Sequence, residues 1–186
     1  MYEKKTLPNG VRILTEHVPG VRSVSLGIWV GTGSRSEKPG EGGAAHFIEH
    51  MVFKGTERRT ARQLAQEMDA IGGQVNAYTT KECTCFYARS LDEHLSRAMD
   101  MLCDMVFCSR FDEQDVQTER GVFLEEIGMY RDNPEDPSAA IFQAYREMIQ
   151  ESDSDEVFYS AVYSTLFRLG TYGHLWIVEP DMYRAY

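Results

Sequence analysis

Two histidines and a glutamate stand at helical spacing within residues 41–53 of this 186-residue chain. An α-helix has about 3.6 residues per turn, so His46 and His50 lie one turn apart on one face, where their imidazoles can converge on a single cation. Glu49 lies on the same side. Neutral imidazole is a common zinc ligand, and a carboxylate beside zinc can accept a proton from water that the metal acidifies. The segment therefore predicts an active-site helix with a metal-binding pair and a nearby base.

A simpler interpretation of the same segment is also open. Two histidines on a helix are often surface residues, and Glu49 could be their solvated neighbour. A glutamate at this offset, on the side where both imidazoles project, supplies the base that metal-assisted hydrolysis needs. The combination favours the metal site over a chance pair.

The net charge of −10 at pH 7 argues against a nucleic-acid backbone or an anionic membrane as the main partner, because both attract basic surfaces. Hydrophobic residues at 42% and charged residues at 26% are typical of a folded globular protein. The chain has no apolar run long enough to cross a bilayer, and its first five residues lack the apolar core of a secretory signal. We expect one domain with a true core, located in the cytoplasm.

The four cysteines have spacings that suit neither a disulfide framework nor a thiolate metal site. Cys83 and Cys85 alternate in a strand-like run, while Cys103 and Cys108 fall in an apolar helical stretch. A cysteine in such positions behaves as a small hydrophobe. We expect reduced thiols, as is usual in the cytoplasm, and this argues against a redox or cysteine-based metal module.

Hydrophobic periodicity and turn residues divide the chain into strands and helices. Alternation with period two predicts strands, and apolar residues at intervals of three and four predict amphipathic helices. The expected elements are a hairpin at residues 5–16, a strand at 23–30, a loop at 31–43, a helix at 60–71 capped by Thr60, a hairpin at 74–80 and 83–90, a helix at 92–107 capped by Asp92, helices at 112–131 and 137–152, and a strand at 174–178.

A catalytic zinc usually has three protein ligands and one open position, so the histidine pair needs another donor. The helix predicted at residues 112–131 is the natural source because it presents several carboxylates. Glu119 and Glu126 are two turns apart and project from nearly the same face, whereas Glu125 is rotated by about 100° from Glu126. Each could equally be an exposed helix carboxylate, and periodicity alone does not choose among them.

Three separated motifs resemble the pitrilysin family of zinc peptidases, which includes insulin-degrading enzyme and the mitochondrial processing peptidase. They are GGAAHFIEHMVFKGT at residues 42–56, GGQVNAYT at 72–79 and ERGVFLEEI at 119–127. The order His-x-x-Glu-His is the inverse of the commoner zinc-protease motif. Within the family, the chain is most similar to bacterial members of the processing-peptidase type, and the likeness runs from about Thr6 to Asp136.

The resemblance implies a role for each residue of the predicted site. His46 and His50 would be two zinc ligands, and Glu126 would be the third, since it lies at the family's interval after the second histidine. Glu49 would be the general base that takes a proton from water and passes it to the leaving amine. Glu119 matches an acidic position of the family near the site, which suggests that it orients a histidine.

The resemblance also implies how substrate binds and what the fold is. Phe53 matches a residue that lines the pocket for the residue after the scissile bond. The strand at 74–80 matches an edge strand that pairs with an extended peptide, to which Asn76 and Ala77 would offer backbone groups. The implied fold is α+β, an antiparallel-rich sheet with helices packed on it, and the pattern of predicted strands and helices agrees with it.

Family members usually carry two similar domains, in one chain or two, that close over the peptide like a clamshell. This chain has room for one, with residues 1–136 as the peptidase-like domain and residues 137–186 as its continuation or a diverged tail. A homodimer or a partner subunit would complete the chamber. The leading hypothesis is a zinc metalloendopeptidase or its catalytic half. The alternative is a non-catalytic assembly subunit of the same fold, which would have no physical reason to keep both histidines and both glutamates of the metal site.

Overall fold

The computed structural model of the chain describes residues 2–38, 42–131 and 173–176, with backbone alone at 127–131 and 173–176. Within these ranges the strands are β1 (Tyr2–Thr6), β2 (Arg12–Glu16), β3 (Ser23–Val30), β4 (Gln74–Thr79), β5 (Thr84–Leu91) and β6 (Gly173–Trp176). The α-helices are α1 (Ala44–Met51), α2 (Ala61–Ala70), α3 (Leu95–Phe107) and α4 (Glu113–Arg131). Short 3-10 turns lie at Ser34–Ser36, Val52–Lys54 and Asp92–His94.

Four of the strands form an antiparallel sheet in the order β4-β5-β3-β6, and β1 and β2 form a separate hairpin. β3 and β5 pair along their whole length, from Ser23 opposite Leu91 to Val30 opposite Thr84. β4 pairs with the other side of β5, and β6 with the other side of β3, so β4 is an edge strand of the described sheet. The predicted α+β fold with an antiparallel sheet is confirmed.

One face of the sheet carries the residues that the helices cover. The register places Leu26 opposite Ala88 and Ile28 opposite Phe86, and all four side chains are buried. Ala77 of β4 lies opposite Phe86 and so joins the same face. α1, α2 and α3 pack against these strands. A side chain that points from β4 towards the helices therefore meets the layer that contains the two histidines.

α2 begins as the sequence predicts, with Thr60 as its cap. The Thr60 hydroxyl accepts from the Gln63 amide at 3.3 Å, and the Gln63 side chain accepts from the Thr60 amide at 2.9 Å. This reciprocal pair satisfies two donors that a helix start leaves without intrahelical partners. Leu64 and Met68 are buried on the inner side of the helix, where the apolar periodicity places them.

Asp92 does not cap α3, so that prediction is wrong. The helix begins at Leu95, after a 3-10 turn that starts at Asp92. The Asp92 carboxylate instead accepts from Arg22 Nε, at 2.9 and 3.0 Å, and from the Glu93 amide at 2.8 Å. The Asp92 carboxylate, which the local pattern predicts as the helix cap, instead forms an ion pair with Arg22, a residue far away in sequence.

The other predicted elements within the described ranges are found with small shifts. β1 and β2 form the hairpin around Asn9 and Gly10, β4 and β5 form the second hairpin, and α4 is the long helix expected at residues 112–131. β6 is the strand expected at residues 174–178.

The helix expected at residues 137–152 lies outside the described residues. β6 pairs with β3, so residues 173–176 belong to the same sheet as the earlier strands. The division at residue 136 stays a prediction.

All four cysteines are free thiols, in agreement with the sequence. Burial raises the pKa of the Cys85 thiol to about 12, so it stays protonated and unreactive at neutral pH. No helix in the described ranges is long and apolar enough to cross a membrane.

Candidate metal centre

The helix that carries both histidines, α1, begins at Ala44, directly after the predicted loop, because the preceding glycines form a turn. Gly43 has φ +93°, a left-handed conformation that favours glycine. The Glu37 carboxylate reaches this turn from across the loop: Oε2 accepts from the Gly43 amide at 2.6 Å and Oε1 from the Ala45 amide at 2.8 Å. The first amides of a helix have no intrahelical hydrogen-bond partner, and the N-terminal end of a helix favours a negative charge. Glu37 supplies both an acceptor and a charge, so it stabilises the first turn of α1.

The two histidines of α1 converge as their spacing predicts. His46 Nε2 and His50 Nε2 lie 3.3 Å apart, and the rings meet edge to face with centroids 4.7 Å apart. Two imidazole nitrogens at about 2.0–2.1 Å from one zinc ion in tetrahedral geometry would lie about 3.3–3.4 Å from each other. The pair therefore already has the separation that zinc requires, and these residues fit the predicted metal.

Both imidazoles stand in environments that suit metal binding. Burial, and then the charge of His50, lower the pKa of His46 to about 4, so His46 is neutral at pH 7. His50 Nδ1 lies 2.9 Å from Glu119 Oε1, and since a carboxylate only accepts, the proton in this bond belongs to His50. Nε2 is then the His50 atom that faces His46. This contact is the one that the predicted orienting role of Glu119 requires, although the role itself stays a prediction.

Glu119 is 3% exposed, and its second oxygen, Oε2, forms an ion pair with Lys54. Burial alone would raise the pKa of the Glu119 carboxyl, but hydrogen bonds from Lys54 and His50 outweigh it and lower the pKa below its ordinary value. The carboxylate thus stays ionised between α4, which carries it, and the end of α1.

Glu49 is buried beside the histidine pair, with 8% of its surface exposed. The hydroxyl of Thr79, the last residue of β4, donates to Glu49 Oε2 at 2.5 Å. Burial raises the pKa of Glu49; the Thr79 hydrogen bond and the charge of His50 lower it, the charge of Glu126 raises it, and it remains above its ordinary value. A carboxylate with a raised pKa accepts protons more readily near neutral pH.

The end of β4 is held against the loop that precedes α1. The Ser34 amide donates to the Thr80 carbonyl at 3.2 Å. A Cβ at Gly33 would lie 2.2 Å from the same carbonyl oxygen, so the approach of the two segments requires glycine. The contact keeps Thr79 next to the buried glutamate.

α4 packs an aromatic ring against both histidines. The buried Phe123 ring lies 5.2 Å from the His46 ring and 4.7 Å from the His50 ring, measured between centroids. It also lies 5.3 Å from the Phe47 ring in the core. The Phe123 ring therefore restricts the rotation of both imidazoles and shields one side of the pair from water.

Glu126, the predicted third ligand, is half-buried on α4 and near enough to Glu49 for its charge to act on that carboxyl. Among the residues that the structure describes, no group of three or more His, Cys, Asp or Glu side chains stands in metal-binding geometry. The structure thus brings His46 and His50 together but does not close a three-ligand set with Glu126. Its role as a ligand stays a prediction.

The three predicted substrate-binding residues lie in two elements. Phe53 is in the 3-10 turn after α1 and packs, partly buried, against the core. Asn76 and Ala77 lie in the middle of β4, the first exposed and the second partly buried. The Ala77 amide donates to Asn76 Oδ1 at 2.9 Å, so a side chain occupies this donor of the edge strand. The substrate roles of all three stay predictions.

Four side chains that complete this site were not identified from the sequence. They are Glu37, Lys54, Thr79 and Phe123. Lys54, Thr79 and Phe123 each lie inside one of the three family-like motifs, which is a signal that could have found them. Glu37 lies outside those motifs, and periodicity shows Phe123 only as one apolar residue of a helix.

The chain belongs to the insulinase family, peptidase family M16, which its sequence matches over residues 12–152. The family resemblance carried by the three motifs is therefore confirmed. The match covers both histidines of α1 and the whole of α4.

Named relatives share a large part of this chain. An uncharacterized zinc protease of Bacillus subtilis is 54% identical over 136 residues, which are 73% of this chain and 33% of that protein. A probable mitochondrial-processing peptidase subunit beta of Arabidopsis thaliana is 47% identical over 122 residues, 66% of this chain and 23% of that protein. The chain thus spans a third or less of the length of these relatives. The first relative's name agrees with the predicted zinc cofactor.

A solved structure shows the same fold. The crystal structure of a protease from Helicobacter pylori superposes with a TM-score of 0.81 over 99% of this chain and 48% of that chain, at 19% sequence identity. This chain therefore has the fold of about half of that protease chain, which agrees with the resemblance to one half of a clamshell.

Proposed function

We propose that this chain is a zinc-dependent metalloendopeptidase, or the catalytic half of one, that hydrolyses peptide bonds of extended peptides. The observation that carries the proposal is the 3.3 Å separation of the two histidine Nε2 atoms beside the buried Glu49 carboxylate. A convergent imidazole pair with a shielded base is what metal-assisted amide hydrolysis requires. The relatives named as a protease and a peptidase subunit do not favour the non-catalytic alternative.

His46 and His50 would hold the zinc ion through Nε2, with Glu126 as the third ligand. His46 is neutral at pH 7, and Glu119 accepts from Nδ1 of His50, so Nε2 is the His50 nitrogen that would bind the metal. When bound, zinc would act as a Lewis acid that lowers the pKa of water and polarises the scissile carbonyl.

Glu49 would take the proton of the attacking water and pass it to the leaving amine. Its burial and raised pKa suit a base that works near neutral pH. Thr79 holds Oε2 of this carboxylate, so Oε1 is the oxygen that we assign to proton transfer. A base fixed in one orientation reduces the entropy that the reaction would otherwise lose.

An extended peptide would pair with β4, the edge strand whose last residue, Thr79, contacts the base. Strand addition uses backbone hydrogen bonds, so it selects extended conformation more than side-chain identity. The Ala77 amide would donate to the peptide after releasing Asn76 Oδ1, and Phe53 would line the pocket for the residue after the scissile bond.

The peptidase chamber would need a second unit. Because this chain spans a third or less of the relatives, a further domain, a second copy of the chain or a partner subunit would close over a peptide on β4. We assign the metal site to residues 1–136, and residues 137–186 stay a predicted continuation of the same domain or a diverged tail. A cytoplasmic location stays a prediction from the sequence.

Metal analysis tests the ligand set. Wild type should retain about one zinc per chain after dialysis, as one three-ligand site demands. Glu126→Gln should lose most of that zinc, because it removes a charged donor, whereas Glu125→Gln on the rotated, exposed position should keep it. Full zinc content in Glu126→Gln would exclude this residue as the third ligand.

Turnover of an unstructured peptide tests the base. Glu49→Gln should keep its zinc and lose hydrolysis, since the amide cannot accept the proton. Chelation of the wild type should have the same effect on activity. Hydrolysis that persists in Glu49→Gln would exclude the assigned base, and hydrolysis that persists without metal would exclude the proposed function.

A further inference from the structure

Lys54 lies at the end of the 3-10 turn that continues α1, four residues after His50. Residues four apart on a helical path are neighbours on one face, so the two side chains project to the same side. Both reach the same carboxylate on α4: Lys54 Nζ pairs with Glu119 Oε2, and His50 Nδ1 donates to Glu119 Oε1 at 2.9 Å. One carboxylate thus joins a cation to a predicted metal ligand.

The carboxylate between them is strongly buried. The Glu119 side chain is 4% exposed, while that of Lys54 is 36% exposed. A carboxylate removed from water needs a charged or hydrogen-bonding partner for each oxygen, because an isolated buried charge is strongly unfavourable. Lys54 supplies that partner at one oxygen and keeps its own charge partly in water.

The two contacts of Glu119 fix its orientation. With Oε2 held by Lys54, Oε1 is the oxygen left to accept from His50. The bond places the His50 proton on Nδ1 and turns Nε2 towards His46, which lies 3.3 Å away. Loss of the lysine would leave the carboxylate held at one end only, so Glu119 would orient the His50 ring less firmly.

We propose that Lys54 is a positioning residue which, through Glu119, sets the orientation and tautomer of His50 for binding a cation. The proposal rests on the metal site of the proposed function, but its central claim concerns the metal-free protein. A lysine that only tied α4 to α1 would contribute to stability without affecting the His50 tautomer. The two roles therefore predict different results.

The primary experiment is nitrogen-15 NMR of the histidine rings in the metal-free full chain. Wild type, Lys54→Met, Lys54→Arg and Lys4→Met would be compared at pH 7. Lys54→Met removes the charge and keeps the length of the side chain, and Lys54→Arg restores a cation. Lys4 is an exposed residue of β1 and serves as the control for loss of one positive charge.

In Lys54→Met we expect the His50 signals to move from the Nδ1–H form towards a mixture of tautomers. Lys54→Arg should return them towards wild type, and Lys4→Met should leave them unchanged. Zinc affinity, measured by competition with a chelator, should fall about tenfold in Lys54→Met, the lower end of the range for residues that orient a metal ligand. Should Lys54→Met not fold, Lys54→Gln takes its place.

A double-mutant cycle distinguishes an effect of Lys54 on His50 through Glu119 from a direct effect of Lys54 on His50. Because Lys54 acts through Glu119, Lys54→Met should have little further effect on the His50 signals in a Glu119→Gln background. Unchanged His50 signals in Lys54→Met, or fully additive effects in the cycle, would overturn the proposal. If wild type binds no zinc while the NMR result is as expected, the proposed function fails and the positioning role of Lys54 stands.

Discussion

Thr79, the last residue of β4, donates a 2.5 Å hydrogen bond to Oε2 of Glu49 in α1. The contact joins the strand that we propose to bind the peptide to the residue that we propose to act as base. In the proposed function, peptide binding on β4 and proton transfer at Glu49 would therefore be linked through one hydroxyl group.

Thr79→Val should lower kcat for an unstructured peptide by about tenfold while zinc content stays at the wild-type level. The valine keeps the shape of the side chain and removes the donor, and a hydrogen bond to a charged group contributes about 1.5–3 kcal/mol. About 1.4 kcal/mol corresponds to one factor of ten in rate. Thr79→Ser keeps the hydroxyl and is the matched control. An equal loss of kcat in both variants would indicate packing rather than the hydrogen bond.

Glu37→Ala should destabilise the protein by about 1–2 kcal/mol, the usual effect of losing a helix cap. The carboxylate accepts from the Gly43 and Ala45 amides, and both lose this partner in the variant. Urea unfolding measures the change in free energy. Glu3→Ala, an exposed glutamate of β1, should stay within about 0.5 kcal/mol of wild type. Equal midpoints for Glu37→Ala and wild type would show that Glu37 does not stabilise α1.

Asp104 of α3 holds the turn that follows α1, the helix of the two histidines. It is 1% exposed, and its carboxylate accepts from Thr56 Oγ1 at 2.8 Å, Arg58 Nε at 2.8 Å and Arg59 at 2.7 Å. Burial alone would raise the pKa of Asp104, but the hydrogen bonds from Arg59, Arg58 and Thr56 outweigh it and lower the pKa.

Asp104→Asn should lower the free energy of unfolding at pH 7 by about 3 kcal/mol, because it removes the charge of a buried carboxylate that pairs with Arg58 and with the mostly buried Arg59. A carboxyl whose native pKa is depressed stabilises the fold above its unfolded pKa of about 3.9 and loses this contribution as pH falls through the native value. The difference in free energy of unfolding between wild type and Asp104→Asn should therefore decrease as the pH falls below about 4. Urea unfolding across pH measures it.

Asp100→Asn provides the comparison for that experiment. Asp100 pairs with the same two arginines, but its side chain is 47% exposed. Its loss should cost less than about 1 kcal/mol, as is usual for exposed ion pairs. If the difference in free energy of unfolding between wild type and Asp104→Asn stayed constant from pH 7 to pH 3, the assignment of acid sensitivity to Asp104 would be contradicted.

Asn76→Ala should lower KM for an extended peptide by about two- to fivefold, since a net hydrogen bond of about 0.5–1 kcal/mol no longer competes for the Ala77 amide. kcat should change little, because the side chain is exposed and lies away from the base. Gln74→Ala, an exposed residue of the same strand, is the control. A raised KM in Asn76→Ala alone would show instead that the asparagine side chain itself binds the peptide.

Local features of this fold follow from the sequence with little further information. The convergence of His46 and His50 depends only on helix geometry, which places residues four apart on one face. The Thr60 cap depends on a partner three residues away, and the β4–β5 hairpin on a short turn. In each case the interacting residues are near one another in the chain, so the pattern contains both partners.

Contacts between distant segments could not be predicted in this way. Thr79 meets Glu49 only because the pairing of β4 with β5 turns that side chain to the helix face. Glu37 reaches α1 across a glycine-containing loop. Local patterning also predicts a contact that does not form: Asp92 is expected to cap α3, but its carboxylate pairs with the distant Arg22. Register and helix docking decide these contacts, and neither is encoded in a short window.

The Phe123 ring that packs on both imidazoles belongs to α4, a helix that a ribosome makes long after α1. A nascent chain that has emerged only as far as α3 presents both histidines but lacks the wall that restrains their rings. Loading with metal during translation would therefore wait until α4 has left the exit tunnel and docked. The order of synthesis thus delays the complete packing around the two histidines until α4 has been made.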